Sequence, residues 1–485
     1  MINNLTNDEV LSIKTSASLT VFEDIDQRNA ISISSFANTN GSLIVRGNQL
    51  NVNPDDIIYL RYVSGNNWHL ISSSVTDFDM DVFAAATSLA EGQDNNRGIG
   101  FYDNNANPHW SYYQDGANTS GDFISGKGYS IKTSANAFLT FRGKLMSENV
   151  SNYPITENVN GWNLVGNPYP AFINANINAD PDANFLSENL NSLDPLAANI
   201  YLWNPTTTSY DPIGNGLGAK YIAPGQGFFV KANAGGSTIN IEKRMLSHQA
   251  GDLFLKENPA NKLVLQINNN ALISETTIAF KEGMTNGLDV SYDATVFSGI
   301  NPTFSIYTQL LESYENIPFA IQFLPDFDKK NMIIPLGILY EEEEMEITFS
   351  LKESNLDASI KVYLEDILLQ TFTEISGTTG YTFFHQNDTN GFGRFFLHLQ
   401  NDALNLNSVD TSNIQVYKKE KPTLQINGIS NGLLNICDIH GKIILKNAII
   451  HSQNQTMQLP KISSGIYVIK IKKENGTNFV KKIIF

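Results

Sequence analysis

Asn66-Asn-Trp68-His-Leu-Ile71 is answered 94 residues later by Asn160-Gly-Trp162-Asn-Leu-Val165. The match continues in order, with Phe101-Tyr-Asp-Asn104 answered by Leu202-Trp-Asn-Pro205, and Ser125-Gly-Lys-Gly-Tyr-Ser-Ile-Lys132 by Pro224-Gly-Gln-Gly-Phe-Phe-Val-Lys231. Three elements recurring in order with similar gaps mark a duplication, which sets two tandem modules at residues 51–148 and 149–248. In each copy the Gly-x-Gly opens a run of alternating character and a second run follows, Phe138 to Phe141 or Thr238 to Ile241. Period-two alternation is the signature of a strand, so both copies read as β modules.

The rest of the chain reads the same way. Hydrophobic residues make up 41% and charged ones 17%, and Asn, Ser, Thr and Gly separate short runs of Val, Ile, Leu, Phe and Tyr, as in turn-rich β structure. At 485 residues several cores are expected. Residues 1–50 carry strand pieces at Leu11–Ile13, Leu19–Val21, Ile31–Ile33 and Leu43–Val45, too short to bury a core alone. They are expected either to cap the next domain or to be the last rungs of a β-solenoid lying upstream. Residues 249–403 read as a β-sandwich, with strands at Leu263–Ile267, Ile278–Phe280, Met345–Leu351, Ile360–Leu364 and Phe395–Leu399. A polar linker is expected at 404–413, then about seven short strands over 414–485, enough for a small Ig-like sandwich. The predicted fold class is thus all-β, tandem antiparallel β-sandwich modules ending in a small Ig-like one. In the last hairpin, Asn475-Gly476 suits a type I′ turn, and the apolar end Val480, Ile483, Ile484 and Phe485 must be tied into a sheet.

Charge excludes some functions. The formal net charge is −17, which argues against binding a phosphate backbone, so no nucleic-acid partner is expected. Residues 405–485 hold eleven Lys, no Arg and four acids, hence +7, which leaves −24 for the remainder and sets the tail apart as a unit. The lone Cys437 rules out an internal disulfide and is expected to be a small buried hydrophobe. The longest apolar stretch, Met332 to Tyr340, is nine residues, so no transmembrane helix is expected. Met1-Ile-Asn-Asn-Leu5 lacks the features of a signal peptide; export would require one upstream of Met1.

Within the tail, Ile414–Tyr417, Asp438-Ile-His-Gly-Lys-Ile443, Leu459-Pro-Lys-Ile-Ser-Ser-Gly-Ile-Tyr-Val468 and Lys481-Lys-Ile-Ile-Phe485 together resemble the type A C-terminal sorting domain of the Bacteroidota type IX (Por) secretion system. Lys418-Lys-Glu-Lys-Pro422 departs from the Pro-Asn-Pro that the family often carries after its first strand. The resemblance implies Sec export, recognition at the outer membrane by the translocon and its shuttle and sortase components, and removal of the domain outside. It makes Gly441, Lys442, Gly465, Tyr467, Lys481 and Lys482 the signal-bearing residues. Upstream, Gly161–Pro170, Ile334–Ile338, Val362–Asp366 and Gly393–Leu397 resemble modules that precede the sorting domain in flavobacterial surface proteins, among them gliding-motility adhesins and secreted hydrolases.

Candidate chemistry is sparse. No His-Glu-x-x-His, Cys-x-x-Cys or Gly-x-Ser-x-Gly occurs, and no catalytic residue is assigned. His398 lies on an apolar strand and reads as packed, and Gly214-Asn-Gly-Leu-Gly218 reads as a turn rather than a phosphate loop. Asp77, Asp79 and Asp81 would share one face of a strand and so could hold Ca2+, an idea helped by Asp180-Pro-Asp182-Ala-Asn184 in the second copy; solvated loop acids are the plainer reading. Glu341 to Glu344 reads as a solvated strand edge. Of the four tryptophans, Trp68 and Trp162 hold matching positions and are expected in the core, while Trp110 and Trp203 are the candidates for stacking on sugars. The expectation is an adhesin-like, non-enzymatic surface protein with glycans or surfaces as partners. The alternatives are accessory domains of a secreted hydrolase, and calcium-dependent carbohydrate-binding modules.

Overall fold

In the computed structural model, short polar-flanked strands close into a series of β cores. The structure describes residues 1–485 except 37–38, 52–56, 117–120, 206, 250–260, 300–302, 313–316, 327–331, 341–344, 386–390, 402–414, 421–422, 439–442, 453, 461, 464 and 474–477. The expected linker, the acidic run Glu341 to Glu344 and the Asn475-Gly476 turn therefore lie outside the described residues.

Residues 1–50 wind as a parallel stack. Leu11, Ile31 and Ile57 lie in register on one side, Leu5 and Ile25 on a second, and Ser18–Val21 above Ser42–Val45 on the third. The boundary read at residue 50 is not a break in the core. Ile57–Val63 is both the last parallel rung beside Ile31–Phe36 and the first antiparallel partner of Ala137–Leu145, and one core runs from Ile13 to Leu145. Rungs of three or four residues expose too little apolar surface to close alone, so the stack shares the core of the first copy.

The two copies have the same topology. In the first, a four-stranded antiparallel sheet runs Trp68–Ile71, Tyr129–Lys132, Asn96–Tyr102, Trp110–Gln114; in the second, Trp162–Gly166, Gly227–Lys231, Ile200–Asn204, Ser209–Ile213. Trp68 stands opposite Lys132, and Trp162 opposite Lys231. Each copy also pairs its first strand with one near its end, Ile57–Val63 with Ala137–Leu145 and Val150–Ile155 with Ser237–Ile241, and each carries a short N-capped helix, Met80–Ala86 or Phe185–Asn189.

From Asn261 to Asn401 the strands form one long sheet that curls so that one face of almost every strand meets a common core, Leu263 through Leu399. Here Ile273–Lys281 and Phe319–Pro325 run parallel, one of the departures from a purely antiparallel plan, along with the stack at the start. The tail is a separate two-sheet sandwich. A three-stranded sheet (Gln415–Glu420, Thr423–Asn427, Asn454–Gln458) packs on a four-stranded one (Ile443–Ile450, Gly432–Asp438, Ile466–Lys473, Asn478–Ile484), around Val416, Leu424, Leu434, Ile469 and Ile471.

Candidate binding cleft

The Gly-x-Gly turns join the two copies reciprocally. Gly128 N–H donates to the Leu164 carbonyl (3.1 Å) and Gly166 N–H to the Gly126 carbonyl (2.9 Å); in the other direction Ser72 N–H donates to the Gly225 carbonyl (2.9 Å). A Cβ on Gly128 would lie 2.5 Å from the Val165 oxygen, so only glycine lets the backbones approach this closely. Those glycines are packing devices, and Gly214–Gly218 is another: Asn176 Nδ2 donates to the Gly214 and Gly218 carbonyls, and Asn215 Nδ2 to Ser291 Oγ of the next domain.

Duplication produces two related seams, and they differ. Tyr102 and Trp203 hold equivalent positions, opposite Trp110 and Tyr210. Tyr102 is satisfied: its hydroxyl accepts from Asn160 Nδ2 at 2.7 Å, and its ring meets Phe229 edge-on at 4.8 Å. Trp203 has no such partner among the described residues, and its buried Nε1–H is unbonded there. Beside it opens a cleft of about 80 Å³ lined by Arg61, Tyr62, His69, Leu70, Trp203 and Gln226, with backbone from Gly227. Arg61 is half-buried and donates to Asn40 Oδ1 (2.8 Å) and, more weakly, to the Pro224 carbonyl (3.5 Å). Gln226 uses its oxygen to accept from Ala223 N–H (2.9 Å). Burial holds the His69 imidazole below its usual range, and its Nε2 donates to the Ser64 carbonyl at 2.9 Å.

Of the other tryptophans, Trp162 and Trp110 are committed to packing. Trp162 is fully buried, 4.3 Å from the Phe297 ring and 4.7 Å from Tyr201, with Nε1 donating to Ser298 Oγ at 3.2 Å. Phe297 reaches in from the third domain, 4.0 Å from Tyr210. Trp68 is only half-buried, beside exposed Tyr112 at 5.8 Å, because no counterpart of Phe297 covers it among the described residues. Trp110, read as a stacking candidate, is not an open platform: it packs edge-on against Tyr102 (5.1 Å) and Phe229 (6.3 Å) between the copies. Arg61 went unread in the sequence, although a cation inside the apolar strand Ile57–Val63 was a signal.

The carboxylates at 77–81 are not brought together. Asp79 does not continue a strand; it caps the helix Met80–Ala86, its Oδ1 accepting from Val82 N–H at 2.9 Å. Asp77 pairs with Lys144 at 2.6 Å, and Asp81 accepts from the Tyr113 hydroxyl at 2.7 Å. The match in the second copy has the same cause: Asn184 caps Phe185–Asn189 through Ser187 N–H, and Asp180 turns back on the amides of Asp182 and Ala183. His398 is buried but not idle, since its Nε2 lies 2.7 Å from Glu365. Cys437 is half-buried rather than enclosed, and burial raises its thiol above the usual range.

In the tail, Gly465 and Phe485 exchange two backbone hydrogen bonds of 3.0 Å, and the Tyr467 ring packs 5.7 Å from Phe485. Tyr467 is buried and donates to the Ser463 carbonyl at 3.1 Å. Lys481 and Lys482 lie on the last strand, opposite Ile469 and Val468; Gly441 and Lys442 lie outside the described residues.

The fold is an all-β body followed by a closed terminal sandwich. Residues 400–485 match the family described as Secretion system C-terminal sorting domain, and this segment is the sorting domain of type IX secretion. Residues 2–399 match a single family, described as Domain of unknown function (DUF8693), and the chain belongs to that family. No curated protein matches it. The chain is therefore exported by the type IX system to the cell surface or the extracellular space. No helix among the described residues is long and apolar enough to cross a membrane.

Proposed function

We propose that the exported chain is an adhesin-like surface protein that binds glycans and performs no catalysis. The observation that carries this reading is the cleft at the seam of the copies, where an indole N–H without a partner stands with a guanidinium on a rigid β frame. Buried donors of this kind are suited to oxygen-rich ligands. The titratable groups elsewhere support binding over chemistry, because they are spent on structure: His248 bridges Ser42 and Thr20, and Asp366 is held by Arg394 and Tyr381. The same reading gives the tail the translocon, shuttle and sortase as partners, and it fits a Bacteroidota cell in which such adhesins serve gliding.

The test has two parts. Deleting residues 414–485 should trap the chain in the periplasm, and beads coated with the secreted chain should adhere to polysaccharide-coated surfaces. Failure to adhere to any acidic or neutral polysaccharide, or release of sugar from one, would reject the adhesin reading. The second reading, accessory domains of a secreted hydrolase, would be favoured if adhesion were confined to one polysaccharide that a co-encoded catalytic domain cleaves.

A further inference from the structure

We propose that the open seam between the two copies binds the carboxylate of an acidic sugar; this rests on the glycan-binding reading above. The comparison of the two seams carries the argument. Duplication placed an aromatic side chain with a polar tip at the same point of each. At Tyr102 the tip is closed by Asn160, while at Trp203, a residue that lines a cavity, the N–H is buried with no hydrogen-bond partner among the described residues. A buried donor without a partner costs about 1–3 kcal/mol, so its retention points to an acceptor that arrives from outside.

Charge narrows that acceptor. The protein is acidic, with 49 Asp and Glu against 32 Lys and Arg. Arg28, Arg97, Arg244 and Arg394 each meet a carboxylate. Arg61 meets the neutral oxygens of Asn40, Pro224 and Tyr59, and no carboxylate pairs with it among the described residues. Gln226 adds an NH2 whose oxygen end is already engaged. Arg61, Trp203 and Gln226 line one cavity and bring a guanidinium, an indole N–H and an amide NH2, with no acid in its lining among the described residues, a donor set complementary to an anion. The planar guanidinium favours a planar carboxylate.

Size narrows it further. About 80 Å³ accommodates a carboxylate with the atom that bears it, and not a whole sugar ring. The remainder of the sugar then rests at the mouth, against the apolar surfaces of Leu70 and Trp203. This assigns the cleft an end-on grip on a uronate-type residue, with the protein's net negative charge limiting non-specific capture of polyanions.

The experiment is calorimetric titration of the full chain with trigalacturonate and with its methyl ester, which has the same rings without the charge. The acid should bind at least tenfold more tightly than the ester, and more weakly as salt rises. Trp203→Phe keeps an aromatic ring against Tyr210 and removes the N–H together with the five-membered ring that carries it; it should weaken the acid about tenfold, the equivalent of one hydrogen bond to a charged group, while a cooperative melting transition shows that the variant still folds. Arg61→Gln should abolish the preference for acid over ester. No binding of the acid by the native chain, equal binding of acid and ester, or unchanged binding in Trp203→Phe overturns the assignment. Acetate competing as strongly as trigalacturonate would overturn the sugar as the source of the carboxylate. Beads that still adhere to neutral polysaccharide when the acid fails to bind would sink this cleft and leave the adhesin reading standing.

Discussion

Asp293 should make the third domain weaken as pH rises. Its carboxyl is fully buried, and its two oxygens accept from Asp289 N–H and Phe323 N–H, both at 2.7 Å. Burial outweighs those hydrogen bonds and raises its pKa from 3.8 to about 7. A folded-state value above the unfolded one means that the native state holds the proton more tightly. The contribution to stability is therefore complete below about pH 4 and is lost as pH climbs to about 7. The difference of roughly three pH units corresponds to an upper limit of about 4 kcal/mol at 1.36 kcal/mol per unit. Asp293→Asn removes the titration but leaves only one oxygen for two amides, at a cost of about 1–3 kcal/mol. Scanning calorimetry from pH 5 to 8 should show the native transition falling with pH and the variant starting lower but staying flat, so that the curves converge near neutrality. Parallel curves would refute the assignment of the pH dependence to this group.

Two further outcomes follow from the same geometry. Phe297→Ala empties the cup formed by Trp162, Tyr201, Tyr210 and Phe229, and should destabilise the joint by about 3–5 kcal/mol. Acrylamide quenching of the tryptophan emission should rise, and unchanged quenching would contradict the packing role. Asp79→Ala should cost about 1 kcal/mol as a lost helix cap, with calcium and chelators leaving the melting temperature unmoved in the native chain. A calcium-dependent rise that the substitution abolishes would restore the metal reading.

Much of the architecture was legible because β-strands write their pattern locally. The recurrence of Trp68 in Trp162 and of Gly126-Lys-Gly128 in Gly225-Gln-Gly227 marked the duplication, and the repeated strand order has the same source. Alternation does not say which way a partner runs. The runs at Leu11 and Ile31 suit a cap on the next domain as well as solenoid rungs, and the shared core that joins both roles forms only in three dimensions. At Asp77 to Asp81 the acid spacing suggested a strand, but the run Phe83-Ala-Ala-Ala86 after a capping Asp79 is the stronger helix signal. The cleft was legible in one residue only. Trp203 stood out by type, whereas Arg61 lies 142 positions earlier and becomes relevant when Pro224 and Gln226 are folded against its strand.

The reciprocal insertion of the two glycine turns also decides how the protein carries load. On the adhesin reading proposed above, an adhesive contact would pull on one part of the chain while the cell holds another, and a joint made of a flexible tether would stretch first. Here each copy holds the other through main-chain bonds at Leu164, Gly166 and Ser72, so tension at the seam is shared between several contacts that must yield together. A ligand held between the copies would then be gripped by both walls for as long as the joint resists.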